Sequence, residues 1–207
     1  MKSLAFIAIV LCFSQMTCVY KHPFQPIPGK VECEYFDFGG EGVAYHDSDS
    51  INSGSGKLNP PNGTMLNEFR MKEGVDISYT KEKNIDNTRY NKVQPEMNSL
   101  YVGWTEPGEW TNYILNARRG GKFKVSLMYT ANGDGTIALD LDGKESIKSR
   151  IATTFDAADT IAWRQWHHWN KIELGTIEVD KGKHTLTLRT VDHGNMNYDY
   201  LEFTKID

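Results

Sequence analysis

Phe123-Lys124-Val125-Ser126-Leu127-Met128-Tyr129, Thr136-Ile137-Ala138-Leu139-Asp140-Leu141 and His184-Thr185-Leu186-Thr187-Leu188-Arg189-Thr190 decide the fold. Each run largely alternates polar and apolar residues with a period of two, the pattern of a strand with one buried and one solvated face. The short runs 31–35, 75–79, 100–104, 110–115, 171–174, 175–179 and 198–203 read the same way. Between them, Arg119-Gly120-Gly121, Asn132-Gly133-Asp134-Gly135, Asp142-Gly143 and Asp180-Lys181-Gly182 supply the positive φ of tight hairpin turns. No window carries a sustained 3.6-residue apolar stripe of helical length. About ten strands on one core predict an all-β fold, a β-sandwich of jelly-roll type with two antiparallel sheets.

Composition agrees with one globular domain: 207 residues, 39% hydrophobic and 12% aromatic. A net charge of −4 without any Lys/Arg block leaves no electrostatic footprint for nucleic acid or an anionic membrane surface. The N-terminus differs in kind. After Met1-Lys2-Ser3, the apolar run Leu4 to Phe13 has the length of a signal h-region and is too short to span a bilayer. Residues 1–20 therefore read as a signal segment, and a secreted, periplasmic or cell-surface protein is expected. Cys18 is a candidate lipid anchor, although Gln15-Met16-Thr17 resembles a lipoprotein box poorly. No other run is long enough to cross a membrane. Residues 21–29 hold three prolines in six residues and read as a stiff spacer, which puts the folded unit at 30–207. Only Cys33 lies in the body, so no intramolecular disulfide is expected there. The signal suggests a complete chain, and a monomer is expected.

No nucleophile elbow, metalloprotease helix, paired-cysteine metal motif or phosphate loop is present. Loop carboxylates such as Asp47, Asp49 and Glu106 could serve a glycoside hydrolase or lyase, but spacing does not say which of them meet. His167-His168 would point to opposite strand faces and could not share a metal. Trp163-Arg164-Gln165-Trp166-His167-His168-Trp169 puts three Trp in seven residues. Core packing accounts for one or two; a Trp on a loop offers a flat apolar face to a sugar ring. Glu32 and Glu34 sit two apart at the start of the first strand, on one face. With Asp199 they could offer Ca²⁺ hard oxygen ligands, although spacing alone favours a solvated strand face. Residues 48–69 and 80–99 read as long loops, and Asn62-Gly63-Thr64 matches a glycosylation acceptor.

Six pieces occur in an order that resembles family 6 carbohydrate-binding modules. They are Val31-Glu32-Cys33-Glu34-Tyr35-Phe36-Asp37, Gly39-Gly40-Glu41-Gly42-Val43-Ala44-Tyr45-His46-Asp47, Phe69-Arg70-Met71-Lys72-Glu73-Gly74-Val75-Asp76-Ile77, Val102-Gly103-Trp104-Thr105-Glu106-Pro107-Gly108-Glu109-Trp110, the Trp163/Trp166 pair and Asn197-Tyr198-Asp199-Tyr200-Leu201-Glu202-Phe203. The resemblance runs from about Val31 to the C-terminus. It implies a jelly roll that binds polysaccharide or oligosaccharide without altering it, around a structural Ca²⁺ held by Glu32, Glu34 and Asp199. It further implies a loop cleft in which Trp104 and Trp163 sandwich a pyranose and Asn197 donates hydrogen bonds. Tyr45 and Asp47 would line the same cleft, and Trp110 and Trp166 would support it or pack in the core. Some members use a second cleft on the concave sheet face. The extra length at 58–68 and 80–99 departs from the pattern and would wall off, extend or replace the cleft. A hydrolase or lyase, and a protein-docking domain, are the alternatives.

Overall fold

The alternating runs become strands in the computed structural model, which describes residues 24–207. One sheet runs β1 (Gln25–Ile27), β6 (Trp110–Ala117), β11 (Gly182–Asp192), β8 (Gly135–Leu141), β9 (Lys144–Ile151), with β3 (Tyr45–His46) also on β6. The other runs β10 (Asn170–Val179), β7 (Gly121–Ala131), β12 (Met196–Lys205), β5 (Leu100–Val102), β4 (Ile77–Tyr79), with β2 (Gly29–Glu32) on β12. Every pairing is antiparallel except β1 with β6. From β6 to β12 the chain crosses between sheets at almost every connection, which makes the sandwich a jelly roll.

Alternation places Val125, Leu127 and Tyr129 of β7 in the core with Ile137, Leu139, Leu186 and Leu188 of the facing sheet. Each such side chain contributes about 1.5–3 kcal/mol by leaving water. Met128 takes the opposite face of β7 and joins Tyr101 and Trp169 in a second, smaller cluster.

Four local readings change. The run 31–35 ends as a strand at Glu32 and turns into a 3₁₀ helix, Cys33–Tyr35. Gln25 caps the break: its Oε1 accepts from Glu32 N (2.7 Å) and its Nε2 donates to the carbonyls of Glu32 (3.1 Å) and Tyr35 (3.3 Å). Glu32 and Glu34 therefore do not share a strand face. The second half of the expected spacer is strand β1, with Ile27 buried, so the folded unit begins before Lys30. An edge position tolerates Pro26, which has no N–H to give. Lys144–Ile151 is a strand that its charges conceal: only Ile147 and Ile151 are buried, and the charged face protects a sheet edge. Asp142 (φ 51°) and Gly143 (φ 78°) make the expected positive-φ turn before it. Asn132–Gly135 does not use positive φ. Its glycine at 133 serves close approach, since a Cβ there would overlap the His193 ring.

Loop 48–69 contains one helical turn, α1 (Met65–Glu68), and is pinned by Asn52. The Asn52 Oδ1 accepts from the N–H groups of Gly54 (3.1 Å), Ser55 (2.9 Å) and Ile77 (3.1 Å). Residues 1–20 and Cys18 lie outside the described residues. Among the described residues no helix is long and apolar enough to cross a membrane, and Cys33 is buried and unpaired.

A Cβ at Gly54 would overlap the Ile77 carbonyl oxygen of β4. Gly54→Ala should therefore lower the unfolding free energy in urea by about 2 kcal/mol or more, because backbone has to move.

Candidate functional site

Trp104 follows β5 with a φ of 50°, a left-handed turn that leaves its ring 37% exposed. Trp163 sits on the 3₁₀ turn Ala162–Trp166 and is 51% exposed. Both indoles line one cavity of about 320 Å³, together with Trp166, Tyr101, Asn195 and Asn197. That volume suits a small ligand. Asn197 is buried on β12, and its Nδ2 donates to the Trp166 carbonyl (2.8 Å), tying the tryptophan turn to the sheet. Leu58 from loop 48–69, Lys81 from loop 80–99 and His167 complete the lining. Both insertions therefore wall the cleft.

Trp104, Trp163 and Asn197 come together in the lining of this one cavity. Tyr45 does not join them. Strand β3 turns its ring into the core against Phe36 (5.4 Å, edge-on), and its hydroxyl accepts from Gly74 N (3.1 Å). Asp47 lies in a neighbouring cavity, and Trp166 lines the cleft where a supporting or core position was expected. Trp169 is the core member of the three, fully buried.

Buried carboxylates hold the lining in place. Asp86 accepts from Trp169 Nε1 (2.7 Å) and His167 Nδ1 (2.8 Å) at Oδ1, and from Lys81 N (2.7 Å) at Oδ2. His168 accepts from Asp156 N at Nδ1 (3.0 Å), so its Nε2 carries the proton donated to Asp159 (2.8 Å). Arg164 grips the same Asp159 with two bonds of 2.7 and 2.8 Å. The two adjacent histidines thus serve separate carboxylates, Asp86 and Asp159. Burial pulls the Lys81 ammonium down from its ordinary value, with Asp86 opposing. Composition gives no signal for Asp86 or Lys81 as site residues.

Glu34 and Asp199 are buried, and Glu34 Oε2 and Asp199 Oδ1 meet no donor among the described residues. Burial pushes Asp199 up to about 7, with Glu32 and Glu96 adding repulsion. Burial likewise raises Glu34 well above the carboxylate range, and Glu32 and Asp199 add to it. Glu32 is raised by burial while Lys30 opposes. Glu96, from loop 80–99, is a contributor the spacing did not reveal. Among the described residues, no three His, Cys, Asp or Glu side chains form a ready metal cage. Unpaired buried carboxylate oxygens are nonetheless rare, and they are the donor type that Ca²⁺ takes.

A second cavity, about 600 Å³, adjoins the first across Trp104 and is lined by Asp47, Asp49, Asp76, Glu106 and Glu109. The three carboxylates considered for catalysis thus share one cavity. Burial raises Asp47 to about 6, and Glu109, Asp49 and Glu41 add repulsion. Burial raises Asp76 to about 7 against a bond from Ser53 N–H, and Asp47, Asp49 and Glu109 add to the rise. A raised carboxyl binds its proton more tightly folded than unfolded, so its contribution is present at low pH and fades as pH climbs through the folded value. The melting temperature should accordingly fall as pH rises from about 4, near the ordinary aspartate value, to about 7, and level off above it. Asp76→Asn, which keeps an acceptor for Ser53, should flatten that fall; an unchanged slope in calorimetry would remove Asp76 as its source.

The family model for carbohydrate binding module (family 6) matches residues 73–205, a shorter span than the motifs from Val31 suggest. Among solved structures, a family 6 module from Clostridium stercorarium in complex with cellobiose is similar at 11% identity. The alignment covers 89% of this chain and 98% of that one, with a TM-score of 0.51. A second family 6 module, 14% identical, covers 89% and 100% at 0.52. An arabinoxylan arabinofuranohydrolase of glycoside hydrolase family 43 from Bacillus subtilis, in complex with cellotetraose, is 17% identical at 0.53. There the alignment covers 89% of this chain but 28% of the enzyme. No curated protein matches. At these identities the structures speak for the fold alone, a β-sandwich of jelly-roll type. The family match itself spans well over half of the sequence, so the chain belongs to family 6 of the carbohydrate-binding modules, a family that binds sugars without cleaving them.

Proposed function

We propose that the protein binds a polysaccharide or oligosaccharide, unaltered, between Trp104 and Trp163. The observation that carries this reading is the pair of exposed indoles brought from separate loops to one sugar-sized cavity. Stacking on the C–H face of a pyranose would cover apolar surface that otherwise meets water, and the amides of Asn195 and Asn197 stand beside it. Affinity is modest, because sugars are well solvated and an open cleft gains little per atom. Glucose oligomers are natural first probes, since two of the similar structures hold cellobiose and cellotetraose. Exposed aromatic rings contribute little to folding. Trp163→Ala should therefore lower glycan affinity by about tenfold or more and leave the melting temperature unchanged. Binding that survives in titration calorimetry would refute this cleft.

The reading includes a structural Ca²⁺ at Glu32, Glu34 and Asp199, where it would neutralise converging carboxylates and satisfy their unpaired oxygens. Chelator should lower the melting temperature of the calcium-loaded protein, and Asp199→Asn should lose that response. No shift with chelator would count against these ligands. The protein acts outside the cytoplasm, secreted, periplasmic or on the cell surface, exported through residues 1–20, and works as a monomer. The shared cavity of Asp47, Asp49 and Glu106 keeps a hydrolase or lyase as the second reading. Turnover of glycan panels to new reducing ends or unsaturated products, lost on substituting one of these residues, would establish it instead.

A further inference from the structure

Lys81 stands on the cleft wall as a cation that, among the described residues, touches no carboxylate. Its Nζ donates to two neutral acceptors, Ser78 Oγ (3.2 Å) and the Tyr79 carbonyl (3.2 Å), and lies 4.1 Å over the Tyr79 ring. Three N–H donors and two acceptors leave one donor to spare. Among the described residues no carboxylate pairs with it. Asp86, the carboxylate that acts on it electrostatically, has both oxygens occupied by the indole of Trp169, the imidazole of His167 and the Lys81 backbone N–H. Among the described residues no Asp or Glu lines this cavity. Trp166, another lining residue, holds a buried Nε1–H that meets no acceptor among the described residues. Across Trp104 the neighbouring cavity has the reverse character, with five carboxylates.

We propose that the cleft selects a glycan bearing an anionic substituent, a carboxylate or a sulfate, which Lys81 binds as its counter-ion. This rests on the cleft between Trp104 and Trp163 being the glycan site. The stacked ring would lie on the indoles with its charged group turned to Lys81. The acidic cavity would repel the opposite orientation and so set the direction in which the sugar enters. A half-buried ammonium without a carboxylate partner has already lost part of its hydration, so an anion that reaches it forms a charge-assisted bond at reduced cost.

The experiment titrates the full chain with oligogalacturonate and its methyl ester, and with a sulfated galactan oligosaccharide and its desulfated form, at low and high salt. In at least one pair the charged member should bind about tenfold more tightly than the neutral one, the worth of a hydrogen bond to a charged group. Its affinity should fall with salt while that of the neutral member stays level. The pair that shows the effect identifies the anion. Lys81→Gln should bring the ratio close to one, and Lys81→Arg should keep it. Equal binding of charged and neutral forms by the wild type, dependent on Trp163, overturns the proposal and leaves the glycan cleft standing. A preference unchanged in Lys81→Gln overturns the role of Lys81. Charged-glycan binding that survives Trp163→Ala, or no binding by any of the four probes, overturns the cleft reading as well. Should Lys81→Gln fail to fold, the salt response of the wild type decides: none overturns the proposal.

Discussion

A carboxylate buried in protein is tolerable only when donors replace the water it has lost, and Asp86 meets that requirement with three. They come from the indole of Trp169, the imidazole of His167 and the backbone N–H of Lys81. Two of these three residues line the aromatic cleft, and the third is the centre of the small cluster on the outer face of β7. Asp86 fastens the loop 80–99 to the segment that carries Trp163, and bonds from Arg164 to the Asn84 carbonyl and from Trp169 N to Asn91 add to it. Truncating Asp86 would leave two ring N–H groups and a backbone N–H without their acceptor in a dry environment, which costs more than the lost bonds alone. The cleft thus has a polar anchor behind it as well as a sheet.

The second arrangement of consequence is the division of charge around Trp104. Its left-handed backbone places the indole between a cavity that, among the described residues, has no carboxylate in its lining and one that has five. Burial raises Asp47 and Asp76 to about 6 and 7, and repulsion from the neighbouring carboxylates adds to the rise. A ring with opposite electrostatic surroundings on its two sides is a directional element. Stacking itself is indifferent to which way round a sugar lies, so direction comes from the charges on either side.

The strands with a buried and a solvated face were legible because burial imposes a period of two, and β6, β11 and the first half of β7 follow it closely. Lys144–Ile151 was not, because an edge strand that must resist pairing with other chains carries charge where a pattern search expects apolar residues. Gln25–Ile27 was hidden by Pro26 and by the prolines that flank the strand, and an edge position accommodates Pro26. At the site, Trp104, Trp163 and Asn197 stood in recognisable motifs. Tyr45 belongs to the same motif set but is inward-facing, and motif order carries no information about which way a ring turns. Asp86 and Lys81 had no signal, since their partners lie across the fold: Trp169 is 83 residues from Asp86. Polar contacts of that separation obey no local period.

The insertions explain why the family pattern alone underdetermines this cleft. A tryptophan pair and an asparagine define a surface on which many pyranoses could stack, and selectivity must then come from groups around the rim. Here the rim is built by the two segments that depart from the pattern: Leu58 from one and Lys81 from the other. One offers apolar contact and the other a charge, each held in place by bonds to the sheet or to buried side chains. Asn59 Nδ2 donates to Ser78 Oγ (3.1 Å), and Lys81 Nζ donates to the same oxygen (3.2 Å), so the two insertions meet on a single buried hydroxyl of β4. A change in either loop would therefore shift the other, so the shape of the cleft rim is a property of the pair.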